Sequence, residues 1–128
     1  MSIDLIVYTK IDVAMLQPEL DRIQAKYPNL FSCSGNRSHP DYIMYSADLI
    51  VDAKDLLLIE DRAKRYHIET RLLIANEFGM MNPKSYFIIA LNYKNSDPDL
   101  YSNGVADLMR QELGADNIIV LHNGDTLI

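Results

Sequence analysis

The residues best suited to chemistry lie between positions 33 and 41, where Cys33, Ser38, His39 and Asp41 occur close together. A thiol with a neighbouring imidazole can serve as nucleophile and base. Ser38-His39-Pro40-Asp41 also contains the residue types of a hydrolase triad. Adjacent residues, however, cannot point at one another as nucleophile, base and orienting acid must. Nothing in the sequence lowers the pKa of the Cys33 thiol, so an ordinary loop cysteine is the plainer reading. The stretch is long, polar and aperiodic, and sites are often carried on such loops. It supports the secondary expectation for this chain: a small-molecule-binding domain or cofactor-free enzyme whose site is Cys33, His39 and Asp41.

Other chemistries lack their residues. His39, His67 and His122 form no pair at ligand spacing, and Cys33 is the single cysteine. A tetrahedral metal site would therefore need a tertiary coincidence. Asp97-Pro98-Asp99 falls short of the calcium-loop pattern, and none of the five glycines belongs to a phosphate-binding loop. No metal, no cofactor and, on balance, no catalytic activity is expected.

Charge is more informative. The net charge is −6, which disfavours direct contact with nucleic acid, since that requires a positive footprint. Residues 1–94 carry 12 acids and 11 bases, whereas residues 95–128 carry six acids and one base, Arg110. Nearly all the excess thus belongs to the last quarter. Asp97 and Asp99 suit the start of a helix, where a side-chain cap and the helix dipole favour acids. Asp107, Asp116 and Asp125 have no such local duty, and Tyr93 and Tyr101 lie nearby, tyrosine being favoured in interfaces. A surface kept acidic for solubility explains the same composition equally well. The denser run Glu60, Asp61, Arg62, Lys64 and Arg65 reads as a solvated helix face. Its acids stand four residues before the bases, the favourable order for ion pairs on a helix.

These residues need elements to position them. At 128 residues with 48% hydrophobic and 23% charged side chains, the chain matches one ordinary globular domain spanning 1–128. Residues 3–8 read as a buried strand. Val13, Leu16, Leu20, Ile23 and Tyr27, spaced 3-4-3-4, mark one face of a helix that either starts at Pro18 or is kinked by it. A strand is expected over 42–51, a helix from Asp52 to about Tyr66, and further strands over 71–75 and 86–93. Asp97-Pro98 opens a helix that Gly114 closes, and 117–121 is a strand. Asn123-Gly124 signals a hairpin with a short return strand. The order β-α-β-α-β-β-α-β predicts an α/β domain with a mixed, mostly parallel sheet and about three helices.

With no signal-peptide pattern and no apolar run long enough to span a bilayer, the expected location is cytoplasmic, with no membrane partner. No motif identifies a family. The leading expectation is a small acidic protein-binding module of the toxin-immunity or inhibitor type. Its partner would be a basic protein, a nuclease toxin being one example, captured through electrostatic steering and neutralised by occlusion. The residues expected to bind are Asp99, Asp107, Asp116 and Asp125, with Tyr93 and Tyr101 as aromatic anchors.

Overall fold

A computed structural model of the protein describes residues 4–28, 31–32, 42–45, 53–91 and 98–128. In chain order its elements are β1 (Asp4–Thr9), α1 (Val13–Lys26), β2 (Phe31–Ser32), β3 (Tyr42–Tyr45), α2 (Ala53–Leu56), α3 (Arg62–Glu77), β4 (Ser85–Leu91), α4 (Pro98–Leu113), β5 (Ile118–His122) and β6 (Thr126–Leu127). The strands form one sheet in the order β2-β3-β4-β1-β5-β6.

The sheet corrects the expected fold class. Its four inner strands, β3-β4-β1-β5, are antiparallel throughout, and β6 is antiparallel to β5. Among the described residues the one parallel pairing is β2 with β3, over two residue pairs. The protein is a small α+β domain, not an α/β domain with a mostly parallel sheet. The strand-helix-strand units are present, but each is split. Strands β4 and β5, joined by α4, both run antiparallel to β1, which lies between them. Strands β1 and β3 flank β4 in the same way. A helix between two strands in sequence therefore does not make those strands neighbours. The interleaving is that of the split β-α-β arrangement of ferredoxin-like folds.

A second correction concerns residues 52–75. Segment 71–75 is no strand but the middle of α3, and the expected helix up to Tyr66 is two elements, α2 and α3. Asp61 caps α3, its carboxylate accepting from the backbone N–H of Ala63 at 3.0 Å and of Lys64 at 3.2 Å. The 60–65 charge run thus spans the start of a helix, with Asp61 as its cap and Arg62 and Lys64 exposed in its first turn. Arg65 turns back to donate to the Ile59 carbonyl and does not use Asp61 as a helix partner. In α1 the helix begins at Val13, with Pro18 inside it and exposed. Of the strand expected over 42–51, β3 accounts for 42–45, and 46–51 lie outside the described residues.

Alternation along the inner strands builds two cores. Leu5 and Val7 of β1, Phe87 and Ile89 of β4, and Ile118 and Val120 of β5 face α1 and α4. These helices contribute Leu16, Leu20, Ile23, Val105, Met109 and Leu113. Tyr8, Tyr86 and Leu121 face the opposite way, against Ala75 and Met80, with Leu72 and Phe78 at the margin. The polar exception is the buried pair Thr9 and Ser85. The Ile11 N–H donates to Thr9 Oγ1 at 3.0 Å, the two hydroxyls are bonded to each other, and Ser85 Oγ donates to the Ile11 carbonyl at 2.8 Å. That closed network satisfies the polar groups where β1 turns into α1.

The C-terminal hairpin forms as expected. Asn123 and Gly124 both take positive φ, 54° and 78°, and the Asp125 N–H donates to the His122 carbonyl at 3.2 Å. Gly114 ends α4 at φ +95°, and a Cβ there would stand 2.7 Å from Asn117 Nδ2. Asn117 is itself engaged, donating to the Leu113 carbonyl at 3.0 Å. Gly114→Ala is expected to destabilise the fold by about 1–2 kcal/mol, through the left-handed backbone and the clash together. Urea denaturation checks this: a midpoint equal to that of the wild type would contradict it.

Candidate functional site

The acids of the last quarter divide once they are placed. Glu112, in the last turn of α4, points inward against α1, and its side chain is only 4% exposed. Its carboxylate accepts from Lys26 at 2.7 Å, Arg22 at 2.8 Å and the Tyr27 hydroxyl at 3.0 Å. Arg22 also donates to the Glu112 backbone carbonyl at 2.8 Å and pairs with Glu19 at 2.8 Å. Arg22 and Lys26 lie on one side of α1 because positions one helical turn apart share a face, and Tyr27 follows as the C-cap of that helix. Glu112 therefore clamps the two helices of the first core together. Hydrogen bonds from Lys26, then Arg22, hold its carboxyl down to about 2, against the opposing effect of burial. The same contacts raise the pKa values of Lys26 and Arg22.

The other acids face solvent. Asp107 is on the outside of α4, 79% exposed at its side chain, and pairs with Arg110 at 3.0 Å. Arg110 reaches on to the backbone oxygen of Ile128, just past β6, so Asp107 lies beside the β5–β6 edge of the sheet. Asp116 is exposed in the turn before β5, and Asp125 is exposed in the turn after it. Asp125 accepts from the Thr126 hydroxyl at 3.0 Å. Among the described residues, neither Asp116 nor Asp125 is paired with a cation. With β5 between them, these two turns are roughly 20 Å apart at about 3.3 Å per strand residue. The three aspartates expected to act together are thus a stripe along one edge of the molecule, not a cluster.

Asp99 and Tyr101 belong to the first turn of α4, the end remote from Asp116. Tyr93 of the expected partner surface lies outside the described residues. So do Cys33, His39 and Asp41 of the expected alternative site. Among the described residues, no group of three or more His, Cys, Asp or Glu side chains is arranged to hold a metal ion. Among them also, no helix is long and apolar enough to cross a membrane. Sequence reasoning missed the Glu112 clamp. Its one outward sign is the pair of cations four residues apart in α1, whose partner is set by tertiary packing alone.

The family model described as CDI System Immunity Component matches residues 1–126, and the chain belongs to that family. The expectation of an immunity-type module is borne out. No curated protein matches the chain. Among solved structures, a chain of the CdiA-CT/CdiI toxin and immunity complex from Burkholderia pseudomallei is similar to it, with a TM-score of 0.67 and 21% identity. The likeness covers 98% of this chain and 95% of that one, and it shows a shared fold.

The clamp makes stability depend on pH with a defined sign. The folded-state pKa of Glu112 lies below its ordinary 4.5, so its contribution is complete above that value and is lost as pH falls towards about 2. Its cationic partners are partly exposed, so screening limits the gain. Glu112→Gln is expected to cost about 1–2 kcal/mol at neutral pH and much less near pH 2. Urea unfolding of both proteins across that range is the check: a gap that stays constant with pH would show that the carboxylate charge is not what holds the helices.

Proposed function

We propose that this immunity component neutralises a toxin by laying its acidic edge over a basic surface of that toxin. The observation that supports this most directly is the division of the carboxylates. Glu112 is consumed inside the fold, while Asp116 and Asp125 stand exposed at the two ends of β5 and Asp107 stands exposed between them. Of the six acids that residues 95–128 carry against one base, Asp107, Asp116 and Asp125 are the three on this edge, with Arg110 beside Asp107.

Acids spread over roughly 20 Å act as a field before they act as contacts. Such a field draws a basic partner into the right orientation and raises the association rate. Asp99 and Tyr101 belong to the start of α4, and Tyr93 belongs to the segment of chain just before it. Tyrosine there supplies apolar area with a polar tip, the residue type that anchors interfaces. A toxin that acts on nucleic acid is the partner that suits the edge best, since it must itself be basic to hold its substrate. Inhibition then follows from occlusion: the aspartates cover the cations the toxin would use. The encounter takes place in the cytosol, where such a substrate is found. The solved toxin and immunity complex with the similar fold supports this reading.

Neutralising the edge as Asp107→Asn, Asp116→Asn and Asp125→Asn is expected to slow association with the toxin by about tenfold at low salt. It should also flatten the salt dependence of the rate, since screened charges no longer contribute. Stopped-flow or surface-based kinetics at low and high salt measure both. Association as fast and as salt-sensitive as that of the wild type would remove this edge from the mechanism.

A further inference from the structure

The outward face of α3 has a pattern that the toxin-binding reading does not use. Seven large hydrophobic side chains are exposed among the described residues, and five of them lie on segment 57–81: Leu57, Leu58, Tyr66, Leu73 and Met81. Tyr66 is 71% exposed and Leu73 is 68% exposed. Seven residues apart, they share one face of the helix. Arg62 and Glu77 lie on the same face, one turn beyond each, and both are exposed. Leu58 precedes the helix and Met81 follows it, so an apolar residue stands at either end.

Read from Leu58 to Met81, the order is apolar, cation, apolar, the pair Glu69 and Thr70, apolar, anion, apolar. Read backwards it is the same, except that cation and anion change places. The centre falls between Glu69 and Thr70. A two-fold axis there sets Arg62 against Glu77 and Tyr66 against Leu73. A surface with that symmetry is complementary to itself, which an isologous contact requires. We propose that the outer face of α3 is the interface between two copies of this chain, packed with their α3 helices antiparallel. Each of these pairings then occurs twice. Arg62 and Glu77 provide the charge complementarity, and Tyr66 packed on Leu73 provides an apolar contact on either side of the axis.

The contact runs along a helix of 16 residues, about 24 Å at 1.5 Å per residue. Two Glu69 side chains come near the axis, a like-charge cost that keeps the association weak and reversible. Helix α3 covers the sheet face opposite α1 and α4. The pairing therefore leaves the acidic edge open on both copies.

Sedimentation equilibrium over a wide concentration range, with charge-swap variants, tests the proposal. The wild type is expected to dimerise reversibly in the micromolar range. Arg62→Glu and Glu77→Arg, made singly, put like charges together at two places each and should weaken the dimer by about tenfold or more. The double swap should restore it. Both single changes place the favourable charge at their end of the α3 dipole, so a lost dimer does not reflect a damaged helix. A monomer at every concentration overturns the proposal, as does a dimer indifferent to the swaps. It is also overturned if Tyr66→Ala with Leu73→Ala leaves the dimer intact and abolishes toxin binding, since the toxin would then be the occupant of this face.

Discussion

Everything in this fold depends on β1 being buried on both faces and paired on both edges. Leu5, Val7 and Tyr8 have no exposed surface, and antiparallel neighbours satisfy the backbone of the strand on either side. A strand in that position cannot be half-solvated, so the sheet must carry a layer of helix on each face. Helices α1 and α4 form one layer and α3 the other. The hydroxyl network of Thr9 and Ser85 lies at the end of this strand. There a buried polar pair is tolerated because it closes on itself and on Ile11.

The same central strand explains what the sequence could and could not reveal. Strand positions were legible because apolar runs such as 3–8 and 86–91 leave few alternatives. The Asn123-Gly124 turn and the Gly114 stop were legible because each needs a backbone conformation that few residues adopt. Which strand lies beside which was not legible, since β1 pairs with strands more than 75 residues away in the chain. Segment 71–75 misled for a different reason. Arg-Leu-Leu-Ile-Ala resembles a strand in isolation, but Ile68, Leu72 and Ala75 continue a 4-3 helical spacing from the preceding turn. Asp61, three residues before Lys64, was the true cap. Its place inside a run of charges made it look like one member of an ion pair.

The candidate site was legible only in sum. Counting charges located the excess acid in the last quarter of the chain, yet a count cannot tell a carboxylate that faces solvent from one that faces another helix. Glu112 differs from Asp107 in sequence by five positions and in surroundings by three hydrogen-bond donors supplied from α1 and its C-cap. Those donors lie about 90 residues earlier in the chain. What remains after subtracting Glu112 is a thinner and longer distribution of charge than the composition suggests. It suits steering of a partner over distance better than a dense point of contact.

The second face obeys a similar logic, with phenols in the place of carboxylates. Tyr8 and Tyr86 are buried against α3, and buried hydroxyls need partners. Helix α3 supplies them. His67 Nε2 lies 3.0 Å from the Tyr86 hydroxyl, and the Arg71 guanidinium reaches the Tyr8 hydroxyl at 3.4 Å while standing 4.9 Å from the centre of the Tyr86 ring. These contacts fix the rotation of α3 about its axis, because His67 and Arg71, one turn apart, must both face the sheet. At about 100° per residue, that orientation turns Arg62, Tyr66, Leu73 and Glu77 outward. The exposed hydrophobic stripe on α3 is thus a consequence of satisfying two buried tyrosines. Any partner of that face meets a surface whose alignment the sheet has already set.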